Sequence, residues 1–225
     1  MKLKIFPENK HLYAISDIHG GYVAFSQLIT YIKPGSPLFI LGDIIEKGED
    51  SLNTLRLVQK MCEEKRAFAI MGNNDYAFLK SLEVDNLASF IRRLHNKKSI
   101  VYQMVSKSNL DGEPLEIQKK VKEVYKKEIS FLSSLDTEIE LEDFVFVHAG
   151  LDSGDLQTSS FRGKLQMPQF YNVGHHMDKI VVCGHYPVAM YYYDRYDNNI
   201  LIDEKKKIIC IDGGYKATNL GQLNM

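Results

Sequence analysis

Short apolar runs alternate along this chain with longer stretches in which apolar residues recur every three or four positions. Leu12–Ser16 (LYAIS), Leu38–Leu41 (LFIL), Ala67–Met71 (AFAIM), Phe144–Val147 (FVFV) and Ile180–Cys183 (IVVC) are brief, rich in β-branched or aromatic residues, and followed by Gly or a polar residue. Such runs predict buried strands. Val23–Ile32, with Phe25, Leu28, Ile29 and Ile32 on one face, predicts a helix, as do Ser51–Met61, Tyr76–Leu94 and Ile117–Leu132. Strand–helix alternation through the first part of the chain predicts an α/β core of parallel strands with right-handed crossovers. Ser106–Pro114 (SKSNLDGEP) is the most loop-like segment, and a Lys/Glu-rich helix follows it. This interruption is expected to be a helical insertion, at about 97–135, in a single domain spanning 1–225. Ile200–Asp203 and Ile208–Asp212 flank a Lys-rich turn and predict an antiparallel hairpin.

Charge and composition narrow the classes. Lys+Arg 28 against Asp+Glu 29 leave a net charge of −1, which argues against nucleic acid as a partner. The run QKKVKEVYKKE interleaves Glu with Lys and reads as a solvated helix face. Hydrophobics at 44% and charged residues at 25% exclude a disordered or fibrous chain. No apolar run approaches the roughly 20 residues of a membrane span. The stretch MKLKIFPENKHLY lacks the apolar core of a signal peptide. A cytoplasmic protein without a membrane partner is therefore expected. Cys62, Cys183 and Cys210 are odd in number and far apart, forming neither a disulfide framework nor a zinc knuckle.

The strand ends carry the chemistry. Ser16-Asp17-Ile18-His19-Gly20, Gly42-Asp43, Gly72-Asn73-Asn74-Asp75, His148-Ala149-Gly150 and Gly184-His185 each follow a predicted strand. Ligands of open α/β sheets bind in the crevice beyond the carboxyl ends of the strands, so Asp17, His19, Asp43, Asn73, His148 and His185 are expected to converge. Carboxylate, imidazole and amide oxygen without thiolate suit manganese, iron or zinc. Two divalent cations there would outweigh the two aspartates, attract a phosphate dianion and acidify a water. Any one of these pieces alone is an ordinary turn or core histidine. Their recurrence at successive strand ends is what points to a metal site.

In the same order, SDIHG, GDIIEKG, GNND, HAGL and CGHYPV resemble the motifs GDxHG, GDxxDRG, GNHE, HAG and GH of the calcineurin-like metallophosphoesterases, and within them the phosphoprotein phosphatases, especially the small bacterial and phage type. The resemblance runs from about Leu12 to the closing IDGGY and GQL. It implies a β-sandwich of mixed sheets flanked by helices, with the active site at the carboxyl ends of the strands. It assigns Asp17 and His19 to one divalent ion, Asp43 as the bridge, and Asn73, His148 and His185 to a second ion, with manganese the first expectation and iron or zinc the others. It implies release of phosphate by direct attack of a metal-bridging hydroxide, on a phosphorylated protein or on a small phosphoester or nucleotide. Arg162, in SSFRGK, matches a second phosphate-binding arginine.

The departures carry as much information as the matches. Lys47 stands in place of arginine and keeps the charge but not the two-point fork. Glu46 replaces aspartate, and Asn74 replaces the histidine that protonates the leaving oxygen in the family. An amide has no proton to give at neutral pH, and general acid catalysis is worth roughly 10²–10⁴-fold. The expected reading is a Ser/Thr-phosphatase-like enzyme with a non-standard acid site, shifted toward good leaving groups. Its alternatives are a dinucleoside polyphosphate hydrolase and a catalytically weak protein that binds phosphorylated partners. Glu46 reaching into the space of the missing histidine is a further expectation, and Asp75 is expected to be structural. His11, His95, His175 and His176 are expected at the surface, Cys183 as a buried inert thiol, and Tyr215 near the cleft. Tyr191, Tyr192, Tyr193 and Tyr196 form either an aromatic wall or an ordinary strand.

Overall fold

A computed structural model describes residues 11–192, 197–218 and 220–225. The order is β1 (Tyr13–Ile15), α1 (Tyr22–Leu28), β2 (Leu38–Leu41), α2 (Ser51–Glu63), β3 (Ala67–Ile70), α3 (Asn73–Ser81), α4 (Leu87–Leu94), α5 (Ile100–Lys107), α6 (Pro114–Val124) and α7 (Lys126–Ser133). There follow β4 (Glu138–Glu140), β5 (Phe144–Val147), α8 (Phe161–Gln166), α9 (Phe170–Val173), β6 (Ile180–Cys183), β7 (Leu201–Asp203) and β8 (Ile208–Cys210). The first three strands form a parallel sheet, β1-β2-β3. The second sheet is mixed, in the order β4-β5-β6-β8-β7, with a parallel centre and antiparallel edges. The expected hairpin is β7 with β8. No helix among the described residues is long and apolar enough to cross a membrane.

The two sheets pack face to face, which explains why their strands read as unbroken apolar runs rather than alternating ones. In β2, Leu38 and Ile40 join the core shared with α2, α5 and α6, while Phe39 and Leu41 face the other sheet. In β5 and β6, Phe146 and Val182 face inward between the sheets, and Val145, Val147, Val181 and Cys183 face the outer layer with Phe170. Phe39 stacks on Phe146 across the gap, centroids 4.3 Å apart and rings 5° from parallel. The outcome is a sandwich of one parallel and one mixed sheet, rather than the two mixed sheets expected, with helices on its outer faces.

Two of the predicted helices are interrupted. The segment Tyr76–Leu94 breaks between α3 and α4, where Gln118 Nε2 donates to the carbonyls of Ser81 (2.9 Å) and Glu83 (3.2 Å). A side chain from α6 thus satisfies carbonyls at the end of α3 that a continuing helix would have used. Ile117–Leu132 breaks at Tyr125 (φ −106, ψ 28), whose buried hydroxyl donates to Met104 O at 2.8 Å. β4 was not legible, because a charged triplet with one buried residue, Ile139, gives too short an alternation. Asp50 caps α2 by accepting from Asn53 N at 3.2 Å, and Ser99 caps α5 by accepting from Val101 N at 3.1 Å. Tyr193 and Tyr196 lie outside the described residues.

Phe39→Ala is expected to lower unfolding stability by about 3–5 kcal/mol in urea denaturation. It should also loosen the strand ends of both sheets, because it empties the contact between them.

Candidate active site

Beyond the strands, the backbone leaves regular geometry at the residues that the motifs single out. Asp17 (φ 52), His19 (φ 48), Asp43 (φ 50) and His185 (φ 67) are all left-handed. For residues with a β-carbon this costs about 1–3 kcal/mol each and persists only where surrounding bonds impose it. The ladder of the first sheet supplies such bonds. Asp17 N donates to Gly42 O (3.2 Å), His19 N to Asp43 O (2.9 Å) and Gly20 N to Ile44 O (2.9 Å). Gly72 permits the close approach of the third strand end, since a β-carbon there would overlap the backbone nitrogen and Oδ1 of Asp43.

Asp43 is the centre of the arrangement. Its Oδ2 lies 3.7 Å from His19 Nε2, and its Oδ1 lies 3.6 Å from His148 Nε2. Asp17 Oδ1 is also 3.7 Å from His19 Nε2. Ligating atoms of Asp17, His19 and Asp43 all fall within 4.8 Å of one another. On the other side, His148 Nε2 is 2.9 Å from Asn73 Oδ1, and the His148 and His185 rings meet edge to face at 5.1 Å. His185 N donates to Asp17 Oδ2 at 2.9 Å. The six residues therefore come together in one cluster drawn from both sheets, with Asp17, His19, Asp43 and His148 buried and Asn73 and His185 half-buried.

The protonation of His19 and His185 fits ligation. Burial pushes His19 below its usual value despite Asp43 and Asp17. Burial and the neighbouring His148 push His185 down to about 4. Burial also opposes a charged His148, but Asp43 and Asp17 outweigh it and the ring stands above its usual value. Asp43 is held below the carboxylate range: burial would raise it, and His148 and His19 more than offset that. His148 Nδ1 donates to Leu41 O at 2.7 Å. With the ring neutral, Nε2 is then a lone pair facing the amide oxygen of Asn73, two acceptors that a shared cation would reconcile. The donor set fits hard to borderline divalent ions.

The two departed positions are occupied in specific ways. Asn74 donates to Asp43 twice, from N to Oδ1 (2.8 Å) and from Nδ2 to Oδ2 (2.5 Å). Lys47 is exposed, and its Nζ donates to His19 Nε2 at 2.9 Å. Glu46 does not reach toward Asn74. Its carboxylate turns to Arg93 Nε (3.4 Å) and accepts from Ser99 Oγ (3.4 Å), because a buried carboxylate needs a countercharge and the helical layer provides one. Arg162 is exposed on α8 and makes no contact with the cluster, although its neighbour Phe161 packs edge-on against Tyr76 of α3 at 4.9 Å.

Asp75 is fully buried and accepts from Gly72 N (2.9 Å), Ile44 N (3.1 Å) and Ile45 N (3.3 Å), tying two strand ends together. Burial and Asp43 raise it to about 7. Asp212, which the motif reading passed over, is buried after β8 at the level of His185, and burial and Asp17 push it well above the usual range. Its signal was an acid at a strand end followed by Gly213 and Gly214. Arg93 carried no sequence signal, being one cation on a surface helix. Tyr215 lies against Gly21, beside the His19 loop. Tyr191 packs into the outer core. Cys183 is buried 3.7 Å from Cys210 Sγ, which together with burial holds its thiol far above the usual value. His175 is tied to Lys207 O and Met177 N, and His11 accepts from Lys33.

Comparison with known proteins places this geometry. The calcineurin-like phosphoesterase profile matches residues 10–217. A symmetrical bis(5'-nucleosyl)-tetraphosphatase of Ralstonia nicotianae is 34% identical over 88 residues, which is 39% of this chain and 29% of that protein. Its counterpart in Nitrosococcus oceani is 33% identical over 92 residues, 40% of this chain and 30% of the relative, so the matches span less than a third of these curated proteins. A solved structure provisionally named a diadenosine tetraphosphatase superposes with a TM-score of 0.63 at 16% identity, covering 99% of this chain and 90% of that one.

Asp75→Asn would turn an amide N–H toward backbone donors and leave one of them unmet. It is expected to cost about 1–3 kcal/mol, read by thermal or urea unfolding.

Proposed function

Because this chain belongs to the calcineurin-like phosphoesterases, we propose that it is a metal-dependent hydrolase of phosphoanhydrides and activated phosphoesters, with dinucleoside polyphosphates as the substrate class. In this reading, Asp17, His19 and Asp43 hold one divalent ion, and Asp43, Asn73, His148 and His185 hold a second, with manganese the first candidate. Such a pair supplies Lewis-acid charge and acidifies water at neutral pH. The protein's own contribution is positional. Asn74 fixes the rotamer of Asp43 through two hydrogen bonds, and Asp75 locks the two loops that carry Asp43 and Asn73. Lys47 places an ammonium at the cluster, where it binds phosphoryl oxygens electrostatically. Arg162, exposed on α8 and outside the cluster, is kept as a candidate second phosphate-binding cation.

One observation carries the substrate reading: the two positions of the family's acid dyad are both committed elsewhere. The Asn74 amide is bonded to Asp43, and the Glu46 carboxylate is paired with Arg93. Alkoxide leaving groups need a proton, whereas a nucleotide phosphate leaves without one. The names of the bacterial relatives, which cover part of this chain, point to the same class of substrate.

With manganese present, kcat/KM for diadenosine tetraphosphate and for an aryl phosphate is expected to exceed that for a phosphoserine peptide by about 10²–10⁴-fold. Equal values for the peptide would overturn the proposal and favour a Ser/Thr phosphatase. Absence of turnover on every substrate would favour a phospho-partner-binding protein.

A further inference from the structure

We infer that Glu46 and Arg93 are a positioning pair whose task is to hold Lys47 over the cluster, so that an ion pair in the helical layer sets the grip on the phosphoryl group. The inference rests on the reading of Lys47 as a phosphate-binding cation.

Glu46 (φ 71) and Lys47 (φ 63) are consecutive left-handed residues, neither of them glycine. Each side chain pays a steric penalty there, and relaxation of either would redirect the Lys47 stem. The backbone bonds that oppose relaxation are few. Glu46 N donates to Ser51 Oγ at 2.9 Å, and Gly48 N donates to Glu46 O at 2.8 Å. The Lys47 side chain itself is exposed and ends on His19. Gln103 Nε2 also donates to Gly48 O at 3.2 Å, and a further anchor is the Glu46 side chain, only 9% exposed, which inserts between α4 and the start of α5. Arg93 Nε stands 3.4 Å from it and Ser99 Oγ donates to it. Arg93 is fixed in turn, because its Nη1 donates to Ser89 Oγ at 2.6 Å. Removing Arg93 would leave a buried carboxylate without its countercharge, and in this scheme Glu46 relieves it by swinging toward water rather than by protonating in place. That movement unwinds the left-handed pair and takes Lys47 off the cluster. Glu46 and Arg93 touch no reacting atom in this scheme. They act through Lys47.

The test measures inorganic phosphate binding by titration calorimetry, with and without manganese, so that it reads the grip even if turnover is absent. Lys47→Ala is expected to weaken phosphate about tenfold or more. Arg93→Ala should weaken it by a comparable factor, the Lys47→Ala/Arg93→Ala double variant no further, and manganese affinity should stay at the wild-type value in Arg93→Ala. Arg93→Lys, which keeps the countercharge, should recover part of the loss. In turnover the change should appear in KM rather than kcat. If Arg93→Ala does not fold, Glu46→Gln replaces it in the same cycle with the same expectation. Additive losses in the double variant, or wild-type phosphate affinity in a folded Arg93→Ala or Glu46→Gln protein, would overturn the inference.

Discussion

A carboxylate taken out of water must find compensation within hydrogen-bonding distance, and at Asp43 that requirement organises the whole end of the sandwich. The residue is almost wholly buried on a left-handed backbone. Each of its oxygens receives a hydrogen bond from Asn74 and faces a different histidine, His19 on one side and His148 on the other. His19 follows the first strand of the parallel sheet, and His148 follows β5 of the mixed sheet while leaning on the carbonyl of Leu41. Packing between the sheets, through Phe39 and Phe146, therefore determines whether the two sides of Asp43 can be filled at once.

The chemistry proposed for the site follows from how its polar groups are spent. The family to which the chain belongs accounts for the six-residue cluster, but Asn74 and Glu46 give the cluster its own character. Asn74 holds Asp43, and Glu46 is turned into the helical layer by Arg93. In the proposed reading both residues are supports rather than proton donors. Loss of a donor matters least where the leaving group is already stable as an anion, and this links a pair of side-chain contacts to a preference among substrates.

Much of this was legible in the sequence because strand ends in an α/β protein announce themselves. The runs at Leu38–Leu41, Phe144–Val147 and Ile180–Cys183 are strands with those bounds, since burial on both faces makes them continuously apolar. The residues after them converge because all those strands are parallel. What stayed hidden depends on contacts between distant segments. The break after α3 is dictated by Gln118, which lies on α6, and no local pattern encodes it. The direction of the Glu46 carboxylate is set by Arg93 and Ser99, which spacing alone cannot place beside it. Asp212 was visible as the acid of the closing IDGGY but pointed to no role there, so its burial beside the cluster emerged only with the second sheet.

In the proposed site Asp43 joins two cation sites. Titrating manganese into the purified protein, and following bound ion by electron paramagnetic resonance, tests this most directly. A pair of ions is expected to bind per chain with the spin–spin coupling of close neighbours, and the coupling is expected to disappear in Asp43→Asn. Binding of a single uncoupled ion, or coupling unchanged by Asp43→Asn, would contradict it.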